Sequence, residues 1–130
     1  SGSTPLIKAA RNGHAGVVTL LLNAKASVDK ADDCGYTPLI KAADEGHAGV
    51  VTLLLNAKAS VDKASCSGCT PLIKAAENGH AGVVTLLLNA KASVDKADDN
   101  GDTPLSCAKR YTYHIHTAVV RLLEERGARS

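Results

Sequence analysis

The chain contains no phenylalanine, tryptophan or methionine, and tyrosine occurs only three times. Any hydrophobic core must therefore be built from leucine, valine, isoleucine and alanine, although 45% of the 130 residues are hydrophobic. Such small, regular side chains suit closely stacked helices better than one large globular centre. The scarcity of aromatic rings also argues against a surface that stacks the bases of single-stranded nucleic acid.

Long apolar runs and strong charge are missing as well. No stretch approaches the roughly 20 apolar residues of a membrane-spanning helix, and no secretory signal is recognisable. The formal net charge is +2, which is too small to indicate a nucleic-acid partner. Four cysteines without such a signal favour free thiols in a reducing, cytoplasmic compartment over a disulfide framework. We therefore expect an intracellular protein with no membrane and no nucleic-acid partner.

The dominant feature of the sequence is a repeat of 33 residues. The segment TPLIKAA, which diverges to TPLSCAK in its last copy, begins at Thr4, Thr37, Thr70 and Thr103. The segment GHAGVVTLLLNAKASVDKA is unchanged in its three copies, which begin at Gly13, Gly46 and Gly79. A period of this length indicates stacked units that share one continuous core.

One domain is expected over residues 4–130, and residues 1–3 have the composition of a tag remnant left after cleavage. We divide the domain into repeats 1 to 4, at residues 4–31, 32–64, 65–97 and 98–130.

The sequence of each repeat predicts two helices and a turn. Thr4 and Pro5 are a typical N-cap and first helical residue, and Leu6, Ala9 and Ala10 then share one face. A second helix is predicted after the Gly-His pair. The apolar stripe of this second helix in repeat 1 is expected to contain Val17, Leu20, Leu21 and Ala24.

Short polar segments link the repeats. DDCGY, SCSGC and DDNGD have the Asp, Asn, Ser and Gly content of tight turns. We name them turn A (32–36), turn B (65–69) and turn C (98–102).

The period and the pattern DxxGxTPLxxAAxxGHxxVVxLLL resemble the ankyrin repeat over nearly the whole chain, from Thr4 to about Ala128. Turn, cap, alanine pair and Gly-His recur in the same order in the first three units. The resemblance implies an all-α solenoid of stacked antiparallel helix pairs, joined by β-turn or hairpin loops. It also implies that turn tips and first helices line a concave groove, which binds other proteins without catalysis and without a cofactor.

Some residues depart from the family pattern. The family's glycine after the second helix is replaced by Lys25, Lys58 and Lys91, and a left-handed backbone there would cost about 1 kcal/mol for each lysine. Repeat 4 restores this glycine as Gly127, and it needs about three extra residues between its helices to bring Val119 into register. We expect repeat 4 to be a C-terminal cap, because its end is strongly charged. The array opens on an apolar helix, which allows end-to-end self-association.

Substitutions among the first three repeats are few and fall on one surface. On the first helix they lie on the face that Lys8 shares with Arg11 and Asn12, and the others lie in the turns. Thr19 and Asn23 of the second helix are identical in all three copies. This pattern favours an engineered or selected binding surface on a fixed framework over recent duplication with neutral drift.

The candidate partner-binding residues lie on the first helices and in the turns. They are Lys8, Arg11, Asp32, Asp33, Tyr36, Lys41, Asp44, Glu45, Ser65, Cys66, Cys69, Lys74, Glu77, Asn78, Asp98, Asp99 and Asp102.

Cys66 and Cys69 form a C-x-x-C pair, which could indicate a metal or redox site. Zinc needs four ligands around one point. Equivalent positions in stacked repeats are expected to be about 8–10 Å apart, so Cys34 and Asp99 should be too distant to complete a site. Cys107 lies on a first helix, away from the turns. We therefore expect no metal and interpret Cys66 and Cys69 as reduced surface thiols, with a thiol or metal site at these two residues as the less favoured alternative.

The histidines predict a structural role rather than catalysis. His14, His47 and His80 recur because each copy begins its second helix with Gly-His. His114 and His116 of the irregular last repeat are interpreted as a solvated loop pair rather than as metal ligands.

The favoured function is a non-enzymatic module that binds a protein or peptide through the groove. Tyr36 would be its single aromatic anchor. The aspartates of the turns would contact cationic groups, and Lys8, Lys41 and Lys74 would contact carboxylates. The alternative is a designed scaffold with no dedicated partner.

Overall fold

Eight α-helices form in the part of the chain that the computed structural model describes, residues 2–111 and 113–129. They are α1 (Pro5–Arg11), α2 (Ala15–Asn23), α3 (Pro38–Glu45), α4 (Ala48–Asn56), α5 (Pro71–Glu77), α6 (Ala81–Asn89), α7 (Pro104–Lys109) and α8 (His114–Glu125). These described residues contain no β-strand, so the all-α prediction is confirmed. Ser1 of the expected tag remnant and Ser130 of repeat 4 lie outside them.

Threonine is the N-cap of each first helix, as the sequence predicts. The hydroxyl oxygen of Thr37 accepts a hydrogen bond from the N–H of Ile40 at 3.2 Å, and that of Thr70 accepts one from Ile73 at 3.1 Å. Proline follows at the first helical position, where it has no hydrogen bond to lose. Thr37 and Thr70 are buried, so these caps also fix the helix ends within the stack.

The helices form two stacked layers. The first helices pack in the order α1, α3, α5, α7, and the second helices pack in the order α2, α4, α6, α8. Each first helix also packs against the second helix of its own repeat. Fully buried alanine pairs, such as Ala42–Ala43 and Ala75–Ala76, allow the backbones of neighbouring helices to approach closely. No helix within residues 2–111 and 113–129 is long and apolar enough to cross a membrane.

The apolar stripe predicted for the second helix of repeat 1 is largely wrong, because Val17, Leu20 and Ala24 are exposed and only Leu21 is partly buried. Leu20 is 69% exposed, whereas Val18, which the prediction omitted, is fully buried. Val17 is 45% exposed in repeat 1, but its equivalent Val50 is only 2% exposed because α2 covers it. The second helix contacts both its own first helix and the preceding second helix, so its buried face is wider than a single stripe.

The lysines that replace the family's glycine do adopt a left-handed backbone. Lys25, Lys58 and Lys91 have φ angles of 68°, 69° and 70°, and Gly127 has 88°. At the end of α4 the N–H of Lys58 donates to Leu55 O and the N–H of Ala59 donates to Leu54 O, both at 3.0 Å. These two bonds form a Schellman motif, in which the residue after the helix cap, here Lys58, has a left-handed backbone.

His116 joins repeat 4 to repeat 3, and the prediction that it lies in a solvated loop is wrong. His116 is 4% exposed and lies on α8, where its ring stacks on Tyr111 with centroids 4.6 Å apart. Its Nε2 donates to the carbonyl oxygen of Glu77 at 2.7 Å. The expected insertion of three residues gives His116 the place that His80 has in repeat 3, so only His114 of the proposed solvated pair is exposed.

Candidate partner-binding surface

Turn A is built by the side chain of its first residue. Asp32 Oδ1 accepts hydrogen bonds from the N–H groups of Cys34 at 3.0 Å and Tyr36 at 2.9 Å. The carbonyl oxygen of Asp32 accepts another from Gly35 at 2.9 Å, which closes a β-turn. Gly35 has a φ of 81°, a conformation that favours glycine.

Turns B and C repeat this geometry with different side chains. Ser65 Oγ accepts from the N–H of Cys69 at 3.2 Å, and Asp98 Oδ1 accepts from the N–H of Asp102 at 2.9 Å. Three of the predicted partner-binding residues, Asp32, Ser65 and Asp98, therefore also hold their own turns in shape.

Neighbouring turns are joined directly through the backbone. The N–H of Cys66 donates to Cys34 O at 2.9 Å, and the N–H of Asp99 donates to Ser67 O at 3.0 Å. The expectation that Cys34 is too distant from Cys66 to approach it is wrong. That expectation used the distance between packed helices for residues one full repeat, 33 positions, apart. The turns instead contact each other through residues 32 positions apart.

The face of the first helices carries linked polar contacts. Lys41 Nζ lies 4.3 Å from the ring centroid of Tyr36, which is a cation–π distance. Asn78 Nδ2 donates to Asp44 Oδ1 at 2.6 Å and to Asp44 O at 3.0 Å, across the boundary between two repeats. These four predicted residues therefore lie on one continuous surface.

Lys74 continues this surface towards repeat 4. Its Nζ lies 3.8 Å from Glu77 Oε2. Partial burial lowers the pKa of Lys74, but the carboxylates of Glu77 and Asp44 outweigh this effect and hold the pKa above its ordinary value. Lys74 is therefore a stable cation at neutral pH, and its charge is already partly balanced within the array.

Comparison with known proteins agrees with this architecture. The family model described as ankyrin repeats, in three copies, matches residues 1–65 and again residues 57–129. The chain belongs to the ankyrin-repeat family. Ankyrin repeats are in general protein-interaction modules. No curated protein matches the sequence of this ankyrin array.

The two ends of the ankyrin surface carry different charged contacts. Lys8 and Arg11 of repeat 1 are exposed, so this end is basic. At the other end Asp102 Oδ2 lies 3.0 Å from Arg110 Nη2, a contact that the sequence interpretation missed. No repeat pattern indicates Arg110, because it lies in the irregular segment where repeat 4 departs from the other copies.

The remaining predicted residues vary in exposure. Glu45, Asp33, Cys66 and Asp99 are exposed, and Cys69 is half-buried.

Cys107 is buried on α7, unlike Cys34 and Cys66. It is 2% exposed, and burial raises its pKa to about 11. Within residues 2–111 and 113–129, no group of three or more His, Cys, Asp or Glu side chains is arranged to hold a metal ion.

Histidines of the ankyrin array fix the backbone at the variable helix positions. His47 Nε2 donates to Arg11 O at 2.9 Å, as His116 does to Glu77 O. Both acceptors belong to residues whose side chains differ between repeats. The side chains at positions 11, 44 and 77 are thus presented from a backbone that the following repeat holds in place.

Proposed function

We propose that this ankyrin array binds a protein or peptide segment through the surface formed by turns A to C and the first helices. The sequence differences among repeats 1 to 3 and among the three turns carry this proposal, because they coincide with that surface and spare the remainder of those three repeats. Position 11 is basic and positions 44 and 77 are acidic, while the residue that holds each carbonyl group is always a histidine. A fixed backbone with varied side chains is the arrangement expected of a recognition surface.

Tyr36 is the proposed anchor of the contact. It is the last residue of turn A and half-buried, and Lys41 already lies over its ring. A partner that covers this ring would gain apolar contact at little entropic cost, since tyrosine has few rotatable bonds. Exposed Lys8 and Arg11 would attract carboxylates, and exposed Asp99 would attract cationic groups. We therefore expect a partner segment that carries charges of both signs.

A scaffold without a dedicated partner is the second candidate. The internal pairing of the surface favours it, because Asp44 is bonded to Asn78 and Lys74 is paired with Glu77. A partner would have to compete with these contacts for the same groups.

The test is quantitative affinity capture from a cell lysate with three immobilised proteins: the unchanged array, Tyr36→Ala, and Thr52→Ala as a matched control. Thr52 is exposed on α4 and identical in three repeats, and its hydroxyl bonds only to Ala48 O, one turn back on the same helix. Binding through the proposed surface predicts partners that Tyr36→Ala loses at least tenfold and Thr52→Ala retains.

Salt provides the second readout. Partners held by the charged groups should elute at higher ionic strength, because salt screens exposed charges. Partners retained equally by all three proteins, or lost on Thr52→Ala, would contradict the proposal. A complete absence of saturable partners would support the scaffold instead.

A further inference from the structure

Cys34 and Cys66 lie on neighbouring turns and share a backbone hydrogen bond. The N–H of Cys66 donates to the carbonyl oxygen of Cys34 at 2.9 Å. Both side chains are exposed. Of the four cysteines, these are the two that the structure presents at the tips of adjacent repeats.

This hydrogen bond limits the separation of the two Cα atoms. The N–Cα bond is about 1.46 Å and the distance from a Cα to its own carbonyl oxygen is about 2.4 Å. Added to the 2.9 Å bond, these lengths place the Cα atoms at most about 6.8 Å apart even if all atoms were collinear. Disulfides have Cα separations of about 4.4–6.8 Å, so the backbone is already within the required range.

The Cys66 thiol lies against turn A rather than over its own turn. Its Sγ is 3.9 Å from Asp33 O, and a methyl group placed on Gly35 would lie 3.1 Å from it. The residues on both sides of Cys34 are therefore in reach of this sulfur. Cys69 Sγ instead accepts a hydrogen bond from Ser67 Oγ of its own turn at 3.6 Å.

We propose that Cys34 and Cys66 form a disulfide between turns A and B by exchange with a low-molecular-weight disulfide. One cysteine thiolate attacks the reagent, which gives a mixed disulfide and releases one small thiol. The second cysteine, after losing its proton, attacks the protein sulfur of that mixed disulfide and releases the second small thiol. Two protein thiols are oxidised to one disulfide, and the reagent is reduced to two thiols that carry the two protons.

The bond would join two turns of the candidate surface and close a loop from residue 34 to residue 66. Because the backbone is already paired there, the crosslink should preserve the shape of the turns and restrict the unfolded chain. Oxidation would thus lock this junction. The inference does not depend on whether the surface binds a partner.

The test is to oxidise the purified protein with oxidised glutathione at pH 8, to alkylate the remaining thiols, and to map tryptic peptides. Trypsin places Cys34 on peptide 31–41, and Cys66 together with Cys69 on peptide 64–74. We expect these two peptides to be crosslinked within one chain. The oxidised protein should also unfold at a higher denaturant concentration than the reduced protein.

Two serine variants identify the sulfur atoms. Cys69→Ser should keep the crosslink and is the matched control, whereas Cys34→Ser should lose it. A loop within peptide 64–74, a crosslink lost in Cys69→Ser, glutathione adducts alone, a covalent dimer or unreacted thiols would each overturn the proposal.

Discussion

His80 donates from Nε2 to the carbonyl oxygen of Asp44 at 3.0 Å, across the boundary between repeats 2 and 3. A carbonyl oxygen can only accept, so the proton of the neutral ring is on Nε2. The bond joins the start of α6 to the end of α3, while Asn78 donates to the same oxygen. This relation couples an invariant residue of one repeat to a variable residue of the previous one.

Removing this imidazole should weaken the stack. We expect His80→Ala to lower the free energy of unfolding by about 1 kcal/mol, since Asn78 still satisfies the carbonyl oxygen. His14→Ala is the matched control, because His14 is exposed and follows no helix pair in the described residues. Urea denaturation of both variants measures the difference, and equal losses would contradict the role of the inter-repeat bond.

Two glycines three residues apart should respond in opposite directions to alanine. A Cβ on Gly46 would lie 2.7 Å from the His80 ring, and its φ of 79° is unfavourable for alanine. We expect Gly46→Ala to lower the free energy of unfolding by at least about 2 kcal/mol. Gly49 is the second residue of α4 and has open space around it, so Gly49→Ala should raise stability by about 0.5–1 kcal/mol. Denaturant midpoints with their slopes test both signs.

Glycine at position 58 should stabilise the array. Lys58 holds a φ of 69° in a Schellman motif, and glycine reaches this conformation without the steric cost of a Cβ. We expect Lys58→Gly to raise the free energy of unfolding by about 0.5–1 kcal/mol, and Gly127→Lys to lower it by a similar amount. The same change in the α-helical backbone, Lys8→Gly, should destabilise by about 1 kcal/mol. A loss of stability in Lys58→Gly would show that the lysine side chain contributes more than the strain costs.

Alkaline pH should reduce stability through Cys107. Burial raises the pKa of its thiol from 9.0 to about 11, so the unfolded chain releases this proton first. The contribution of Cys107 is therefore complete below pH 9 and is lost as the pH rises towards about 11. The difference in unfolding free energy between the unchanged protein and Cys107→Ala, measured from pH 7 to pH 11, should shrink in that window. A difference that does not change with pH would contradict this assignment.

Native-state alkylation provides an independent measurement of the same site. Cys34 and Cys66 should react with iodoacetamide far faster than Cys107 at pH 8, because only the thiolate is nucleophilic. Labelling of Cys107 at the rate of the exposed cysteines would show that the helix pair of repeat 4 opens easily.

The sequence by itself determined the repeat unit and its local geometry. Threonine before proline predicts the start of each first helix, because a hydroxyl that caps N–H groups and a residue without an N–H both suit that position. The lysines stand where the family pattern has glycine, and their φ angles near 70° show that the backbone keeps the left-handed conformation there. These features depend on neighbours a few residues apart, so the order of the residues is enough to predict them.

The tertiary structure decided which copies of one side chain are buried and which turns touch. Val17 and Val50 belong to identical segments, yet one is 45% and the other 2% exposed, because only Val50 has a preceding second helix over it. Stacking brings together residues more than 30 positions apart. Only for this reason is His116 buried and is the backbone of Cys34 hydrogen-bonded to that of Cys66. A repeat fixes the local conformation of every copy, but burial and contact between copies depend on what each one packs against.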